Sequence, residues 1–366
     1  MPRIRVGILF GGRSAEHEVS LLSARNVLLA LDRSRFDPVL IGIDRGGRWF
    51  LQREAELLAA PSDPRLVKLN DAAPCVALLP QPPPAETPGD LPRLDVVFPV
   101  LHGPMGEDGT VQGLLDLADL AYVGAGVLGS AVGMDKHVMK RLLRDAGIPT
   151  PDFRVVRKAD FERDPQAACA LAAELGFPLF TKPANLGSSV GIRRVTRRED
   201  VSEALRHALE FDLKALAEAG VTGREIECSV LGNDEPIASV PGEIVVHHQD
   251  GFYSYDAKYV DENGAGLEIP AKLDAAQIRA VQDLAVRAFL ALECSGMARV
   301  DFFLATDGTL RVNEINTIPG FTAISMYPKL WEASGIGPTE LTSRLIDLAL
   351  ERHARRRALK TSYEFR

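Results

Sequence analysis

The sequence predicts an α/β protein of three units, the first an open and largely parallel sheet. Three observations lead there. Compact apolar runs recur at Ile4–Phe10, Val39–Ile43 and Val96–Leu101. Helix-period segments follow such runs, and strands alternating with helices build open α/β sheets. The chain has 366 residues, more than one ordinary hydrophobic core accommodates. The expected units are 1–126, 127–231 and 232–366.

Ile4–Phe10 ends in Gly11-Gly12 and reads as a buried parallel strand feeding a loop. The helix after it carries Val19, Leu22, Asn26, Val27 and Ala30 near one face. Val39–Ile43 and Val96–Leu101 are the next strands, and Tyr122-Val123-Gly124 ends another. Pro80–Pro92 is rich in proline and reads as a surface loop. The first boundary falls at Gly124-Ala125-Gly126. A helix over Met134–Ala146 is stopped by Gly147-Ile148-Pro149-Thr150-Pro151. The second unit holds the strand Leu179–Lys182, the loop Pro183–Gly191 and the strand Glu225–Leu231. The third begins near Gly232. Its long helix, Asp274–Leu292, puts Ile278, Val281, Leu284, Ala285, Ala288, Phe289 and Leu292 on one face, with Asp274 as N-cap. No internal repeat is visible.

Hydrophobic residues make up 46% of the chain and charged residues 25%, the balance of a soluble globular protein. A net charge of −8 argues against a general nucleic-acid binder, while leaving room for a local basic pocket. Cys75, Cys169, Cys228 and Cys294 are far apart and form no CxxC, which fits free thiols in a reducing cytoplasm. The N-terminus reads as a first strand and not a signal peptide, and no apolar run is long enough for a bilayer.

Chemistry concentrates at Arg299–Asn316. Two apolar-rich runs flank Thr306-Asp307-Gly308-Thr309, and Asp-Gly between such runs signals a hairpin. With Asp307 and Gly308 as a two-residue loop, Asp301 faces Glu314 and Arg299 faces Asn316. All four side chains then share one face of the sheet. Facing carboxylates at ~5 Å repel by about 3 kcal/mol at an effective dielectric of roughly 20. A divalent cation removes that cost. Asp301, Glu314 and Asn316 offer only oxygens, which suits Mg²⁺ or Mn²⁺ and not zinc. The plainer reading of an Asp/Glu pair alone is a solvated hairpin face.

Other segments are less specific. Lys182-Pro-Ala-Asn-Leu-Gly187-Ser188-Ser189-Val-Gly191 follows a strand and can admit an anion to its backbone amides, although it is not a P-loop and many such loops are plain connections. Gly11-Gly12 followed by Glu16-His17-Glu18 lacks GxGxxG, and the glutamates serve equally as first-turn helix carboxylates. His102-Gly103 and Gly106-Glu107-Asp108-Gly109 lie at a strand's carboxyl end, where His102 is placed for a substrate contact or forms part of a turn. His247-His248 point to opposite faces and make a poor metal pair. Phe252–Gly266 reads as a mobile lid or as an edge strand and its turn. The run Arg352–Arg357 reads as a solvated helix end.

Taken together, GGRSAEHEVS, HGPMGEDG, MDKHVMKRLLRDAGI, TKPANLGSSVG, GREIECSVLGN, YDAKY, GMARVDFFL and NEINTIPGFT, in that order, resemble the D-alanine–D-alanine ligases of the ATP-grasp superfamily. The resemblance runs from about Val6 into the last helix. It implies a three-domain ATP-grasp fold with an N-terminal open α/β sheet domain, and ATP held between the second and third domains. It implies ATP and Mg²⁺, with two ions and with Mn²⁺ as an alternative, D-alanine as substrate, a homodimer, and a cytoplasmic role in peptidoglycan precursor synthesis.

Carried across position by position, the resemblance implies that Lys136 and Lys182 contact the ATP phosphates and that Ser188-Ser189 lie in the phosphate loop. Glu218 falls at the adenine contact, in a weakly matched segment, and Glu225 at the ribose. Asp301, Glu314 and Asn316 fall at the metal ligands. Arg299 and the Gly320 amide fall at the groups that hold the oxyanion. Glu16 falls at the anchor for the first D-alanine's ammonium, Ser325 and Met326 at the second substrate, and His102 among the substrate contacts. Lys258 and Tyr259 fall on the lid, with Tyr259 joining Glu16 and Ser188. Another ATP-grasp ligase, a nucleotide-binding regulator without turnover and, least favoured without GxGxxG, a nicotinamide oxidoreductase remain as alternatives.

Overall fold

The computed structural model describes residues 2–59, 63, 67–78, 92–246 and 265–360. Most of the expected Pro80–Pro92 loop, His247-His248, and the lid up to Gly264 lie outside them.

The first sheet has the order β4-β3-β2-β1-β5-β6. β1 (Ile4–Gly11) is central and runs parallel to β2 (Phe36–Ile43) and to β5 (Val96–Val100), which is parallel to β6 (Ala121–Tyr122). Strand order reverses at β1, so the loops after β1 and β5 open on one crevice at their carboxyl ends, the usual ligand position in such sheets. β3 (Trp49–Gln52) and β4 (Cys75–Val76) add an antiparallel edge, followed or separated by α2 (Glu54–Leu58). These edge strands are too short to show a period in the sequence.

Of the face expected for helix α1 (His17–Ala30) only Val27 is fully buried, and the inner face is rotated from it. His17, Ser20, Leu21, Ser23, Ala24, Val27 and Leu28 point inward, while Val19, Leu22, Asn26 and Ala30 are only partly covered. Apolar periodicity misplaced the face because its inner side carries polar groups with specific partners. Ser20 Oγ accepts the Gly11 amide at 2.7 Å and donates to the Val100 carbonyl, tying β1 to β5.

After α3 (Thr110–Leu117), α4 (Val127–Met134) and α5 (Lys136–Asp145) replace the single expected helix Met134–Ala146. The break is at Asp135, whose carboxylate accepts the amides of His137 (3.1 Å) and Val138 (3.0 Å) and so starts a new helix. The second sheet is antiparallel, β7-β10-β8-β9, from β7 (Phe153–Arg157), β8 (Leu179–Pro183), β9 (Arg193–Val195) and β10 (Lys214–Ala219). α6 (Lys158–Arg163), α7 (Pro165–Ala173) and α8 (Val201–Phe211) accompany it, and Ala172, Leu205 and Ala208 pack with Val156, Leu179 and Ala215.

The third sheet runs β14-β13-β11-β15-β16, with β12 on the side of β11. Its strands are β11 (Gly223–Gly232), β12 (Ile237–Ala238), β13 (Gly242–Val246), β14 (Ala265–Glu268), β15 (Gly296–Ala305) and β16 (Leu310–Asn316). Helix α9 (Ala275–Ala291) begins with a capping box, Asp274 with Gln277, and presses Val281, Ala285, Ala288 and Phe289 onto the sheet. Ile226, Cys228 and Val230 of β11 and Ala298, Val300 and Phe302 of β15 face that helix. By strand alternation, Glu225, Glu227, Arg299 and Asp301 face the other way.

α10 (Met326–Ala333) and α11 (Pro338–Arg357) close the structure, with Tyr327, Trp331, Leu341 and Leu345 joining the core of the first sheet. The basic run of α11 is a solvated helix end at Arg355–Arg357, as expected, but Arg352 is inserted into the structure. Arg352 donates to the carbonyls of Gly124 and Tyr122 and lies 4.6 Å from the Tyr122 ring centroid. Arg355 pairs with Asp234, Arg356 with Asp116 at 2.6 Å, and Arg357 with Asp119 at 3.5 Å. Partners distant in sequence supply these acids, so the local sequence did not reveal them. Among the described residues all four cysteines are free and no helix is long and apolar enough to cross a membrane.

Candidate active site

The β15–β16 hairpin turns differently from expectation. Ala305 N–H donates to Thr309 O and Gly308 N–H to Ala305 O, both at 2.9 Å, so the loop has three residues, Thr306–Gly308. Only Gly308 takes a positive φ, +83°, while Asp307 accepts the Thr309 amide at 2.8 Å. Near the turn Leu304 faces Leu310, one residue out of the expected step. A bulge at Asn313 then restores the register, so Asp301 faces Glu314 and Arg299 faces Asn316 as expected.

On this face the charges interlock. Arg299 Nε and Nη2 reach the two oxygens of Asp301, each at 2.7 Å, and Nε also lies 2.9 Å from Glu227 Oε2. Burial alone would lower the Arg299 pKa, but Asp301 and Glu227 outweigh it and hold it well above the usual value. Asn316 Nδ2 donates to Asp301 at 3.0 Å. Glu314 lies 3.3 Å from Lys136 Nζ. Each facing carboxylate therefore has its own cation, which offsets the repulsion expected from the sequence.

Two lysines enter from the second unit. Lys136 is the first residue of α5, and its Nζ donates to the Leu186 carbonyl of the phosphate-type loop at 2.6 Å. Lys182, near the end of β8, is buried and donates to Glu218 at 2.8 Å and to Asn313 at 3.4 Å. Glu218 also meets Lys140 at 2.7 Å, a fully buried lysine on α5. Burial pushes the Lys140 pKa down to about 8 against the attraction of Glu218. Burial acts to raise the Glu218 carboxyl, but Lys140 and Lys182 prevail and hold it below its ordinary range. Glu218 thus meets the cleft with its carboxylate engaged by two cations. Ser188 and Ser189 adopt positive φ, +51° and +59°, in the loop that Lys136 touches. Lys136, Lys182, Ser189, Glu218, Glu225, Asp301 and Glu314 line one cleft between the second and third sheets.

The first unit supplies the far wall. A Cβ built on Gly103 would stand 3.6 Å from Glu16 Oε2, and one on Gly187 3.7 Å from the same atom. Glu16 therefore sits where the loops after β1, β5 and β8 converge. His102 is buried, and both its ring nitrogens have protein partners: Nδ1 lies 3.1 Å from the Ile318 carbonyl and Nε2 3.3 Å from Ser23 Oγ. The ring thereby links the first sheet to the loop after β16. Glu107 accepts the Gly103 amide at 2.7 Å. Burial, with the Glu16 charge adding to it, raises its pKa to about 8.

The loop after β16 carries Gly320 and Ser325. Ser325 Oγ accepts the Thr322 amide at 2.9 Å and pairs with Thr322 Oγ1 at 2.7 Å. A Cβ on Gly320 would come within 2.8 Å of Ser325 Oγ, so this approach is reserved for glycine. Met326 opens α10, but its side chain packs with Ile244 and Leu330, leaving its backbone amide as the polar group on offer. Lys258 and Tyr259 lie outside the described residues. Sequence reasoning passed over Glu227, Asn313, Lys140 and Glu107. Glu227 alone had a signal, since it alternates with Glu225 along a strand.

Asp301, Glu314 and Asn316 fit a hard cation by donor chemistry, two carboxylates and an amide oxygen. They do not make a complete cage, and no cluster of three or more His, Cys, Asp or Glu among the described residues is set to hold a metal.

The comparisons with known proteins agree with this layout. The family described as D-ala D-ala ligase N-terminus matches residues 5–125, and that described as D-ala D-ala ligase C-terminus matches residues 142–347. The chain belongs to the D-alanine–D-alanine ligase family. A D-alanine–D-alanine ligase of Shouchella clausii is 50% identical over 372 residues, covering 99% of each chain. D-alanine–D-alanine ligase A of Escherichia coli K12 is 50% identical over 367 residues, covering 99% of this chain and all of the relative. Among solved structures, the D-alanine–D-alanine ligase of Coxiella burnetii superposes with a TM-score of 0.81 at 37% identity, covering 97% of each chain. The VanG D-Ala:D-Ser ligase of Enterococcus faecalis superposes at 0.83 with 34% identity, covering 95% of this chain and all of that one. The D-alanine–D-alanine ligase family has the ATP-grasp fold, which accounts for two sheets closing on a phosphate-type cleft while a third presents Glu16 from the side.

Proposed function

We propose that this protein is an ATP-dependent, ADP-forming ligase that joins two D-alanine molecules into D-alanyl-D-alanine for peptidoglycan precursor synthesis. The observation that carries the reading is the meeting of Lys136 with Glu314, beside Arg299, in a chain half identical to named D-alanine–D-alanine ligases. A phosphate-directed cation and an oxygen-donor carboxylate share the place where a nucleotide's phosphates must meet a carboxylic acid.

A carboxylate is a poor electrophile and needs activation. One oxygen of the first D-alanine attacks the γ-phosphorus, forming a C–O–P bond as the bond to ADP breaks. The second D-alanine's amine attacks the carbonyl carbon, loses a proton, and phosphate leaves with the C–O electron pair. Lys136, Lys182 and the loop amides around Ser188-Ser189 contact and neutralise the ATP phosphates, Lys182 toward the nucleoside end where it meets Glu218. Glu218 stands at the adenine end and Glu225 at the ribose. Glu16 anchors the first ammonium. Arg299 and the Gly320 N–H stabilise the tetrahedral oxyanion, and Ser325 with the Met326 amide receives the second carboxylate. Asp301, Glu314 and Asn316 would hold Mg²⁺, which when bound supplies charge neutralisation at the phosphate oxygens. Lys258 and Tyr259 belong to the covering segment, with Tyr259 favouring an acceptor that arrives as an ammonium over a neutral hydroxyl such as D-lactate.

The same reading includes two metal ions, a homodimer and a cytoplasmic location. It also includes three working units, 1–126, 127–231 and 232–366. Strand β11 lies at the end of the second segment in sequence yet is hydrogen-bonded along β15 of the third sheet.

The test is mass analysis of products from ATP, Mg²⁺ and single D-amino acids or pairs. D-alanyl-D-alanine with stoichiometric ADP supports the reading. A strong preference for D-serine as acceptor moves it toward the activity named for the Enterococcus relative, and turnover with L-alanine alone rejects it.

A further inference from the structure

Helix α1 grips the loop that carries Gly320. Ser23 Oγ accepts the Phe321 amide at 3.2 Å, and Asn26 Nδ2 donates to the Phe321 carbonyl at 3.0 Å. Ser23 and Asn26 are three residues apart on one helix, so they face the same way. His102 extends the grip. With Nδ1–H donating to the Ile318 carbonyl, Nε2 is an acceptor and receives the Ser23 hydroxyl proton. The Phe321 amide, Ser23, His102 and the Ile318 carbonyl thus form one directed chain of hydrogen bonds.

This chain fixes the backbone on both sides of Gly320. Peptide groups are planar, so holding the Phe321 N–H also holds the carbonyl of Gly320. Holding the Ile318 carbonyl fixes the plane that enters Pro319, whose ring locks its φ. Only the ψ of Pro319 and the two torsions of Gly320 separate the two fixed planes. Glycine is the residue with the widest torsional freedom, and here it is pinned from both ends. Ser23 has no exposed surface and Ile318 and Phe321 almost none, so water does not compete for these bonds.

We propose that Asn26 and Ser23 are positioning residues for the ligation step, aiming the Gly320 N–H by pinning Phe321. The inference rests on the ligase reading above and assigns a task to two polar side chains of α1 that the proposed chemistry does not otherwise use. An oxyanion donor must be aimed before charge develops, and small misplacement costs rate without costing substrate affinity.

The test uses the full-length protein with Asn26→Asp, which keeps shape but removes the donor, Asn26→Ala, and Asn26→Gln, which restores an amide. Two readouts are compared: dipeptide kcat, and D-alanine-dependent scrambling of a β,γ-bridge ¹⁸O in ATP, which reports phosphoryl transfer alone. Asn26→Asp and Asn26→Ala are expected to lower dipeptide kcat about ten- to hundredfold, with scrambling and the KM for ATP within about twofold of wild type, and Asn26→Gln to recover part of the loss. Equal loss in both readouts, or wild-type kcat in the Asp and Ala variants, overturns the assignment. Wild-type protein that forms no dipeptide overturns the ligase reading, and this inference with it.

Discussion

Asp301 and Glu314 are direct cross-strand partners, and each is charge-paired to a different cation, Asp301 to Arg299 and Glu314 to Lys136. Lys136 comes from the second unit, so the pair across β15 and β16 also reaches across the cleft. Removing either acid acts on a network and not on a lone repulsive pair.

Glu314→Gln keeps the shape of the side chain but removes a metal-type oxygen and the partner of Lys136. Turnover is expected to fall by about 10²–10³-fold, the usual loss for a charge-stabilising group at a phosphoryl-transfer site. Relief of carboxylate repulsion is offset by the unpaired charge on Lys136, so the folded state should change by no more than about 1 kcal/mol. Urea unfolding and steady-state ADP release check the two halves.

Lys140 gives a pH signature. Burial lowers its folded pKa to about 8 from the ordinary lysine value of 10.5, so between these values the unfolded chain holds the proton and the folded chain does not. Unfolding free energy then rises with pH across that window, by about 1–3 kcal/mol in total. Lys140→Met should remove this slope, which chemical denaturation at pH 7.5, 9 and 10.5 measures for both proteins.

Gly320→Ala places a methyl group 2.8 Å from Ser325 Oγ, where the hydroxyl is held by Thr322. The loop must shift, taking the oxyanion donor and the acceptor contact with it. Dipeptide kcat is expected to drop about 10²-fold, with the KM for D-alanine at the acceptor site raised and that for ATP unchanged.

Arg352→Met keeps the apolar stem but deletes two hydrogen bonds to buried carbonyls and the stacking on Tyr122. A loss of about 2–4 kcal/mol is expected, read as a lower urea midpoint. Arg357→Met, whose exposed pair with Asp119 spans 3.5 Å, should change the midpoint little.

The sequence carried much of this arrangement, and the failures have physical causes. The Asp301–Glu314 and Arg299–Asn316 pairings were legible because strand alternation leaves few choices. The turn was misread because Asp307 uses its carboxylate to cap Thr309 instead of taking a positive φ, and the bulge at Asn313 that cancels the error has no local signature. The inner face of α1 was misread because Ser20 and Ser23 are buried for their hydrogen bonds, which apolar periodicity cannot register. Arg352 owes its role to backbone carbonyls, and Arg355–Arg357 and Lys140 owe theirs to acids, all far away in sequence. The positions of the alternation-defined residues needed only local rules; the others needed the tertiary structure.

Ligation through an acyl phosphate makes a direct isotopic demand. D-alanine carrying ¹⁸O in both carboxylate oxygens should pass one label to inorganic phosphate for each dipeptide formed, leaving one in the new amide, with ADP unlabelled. Mass analysis of phosphate after a single burst of turnover, with ATP and Mg²⁺, reads this. One ¹⁸O per phosphate is the predicted result; unlabelled phosphate, or label appearing in AMP, would contradict it.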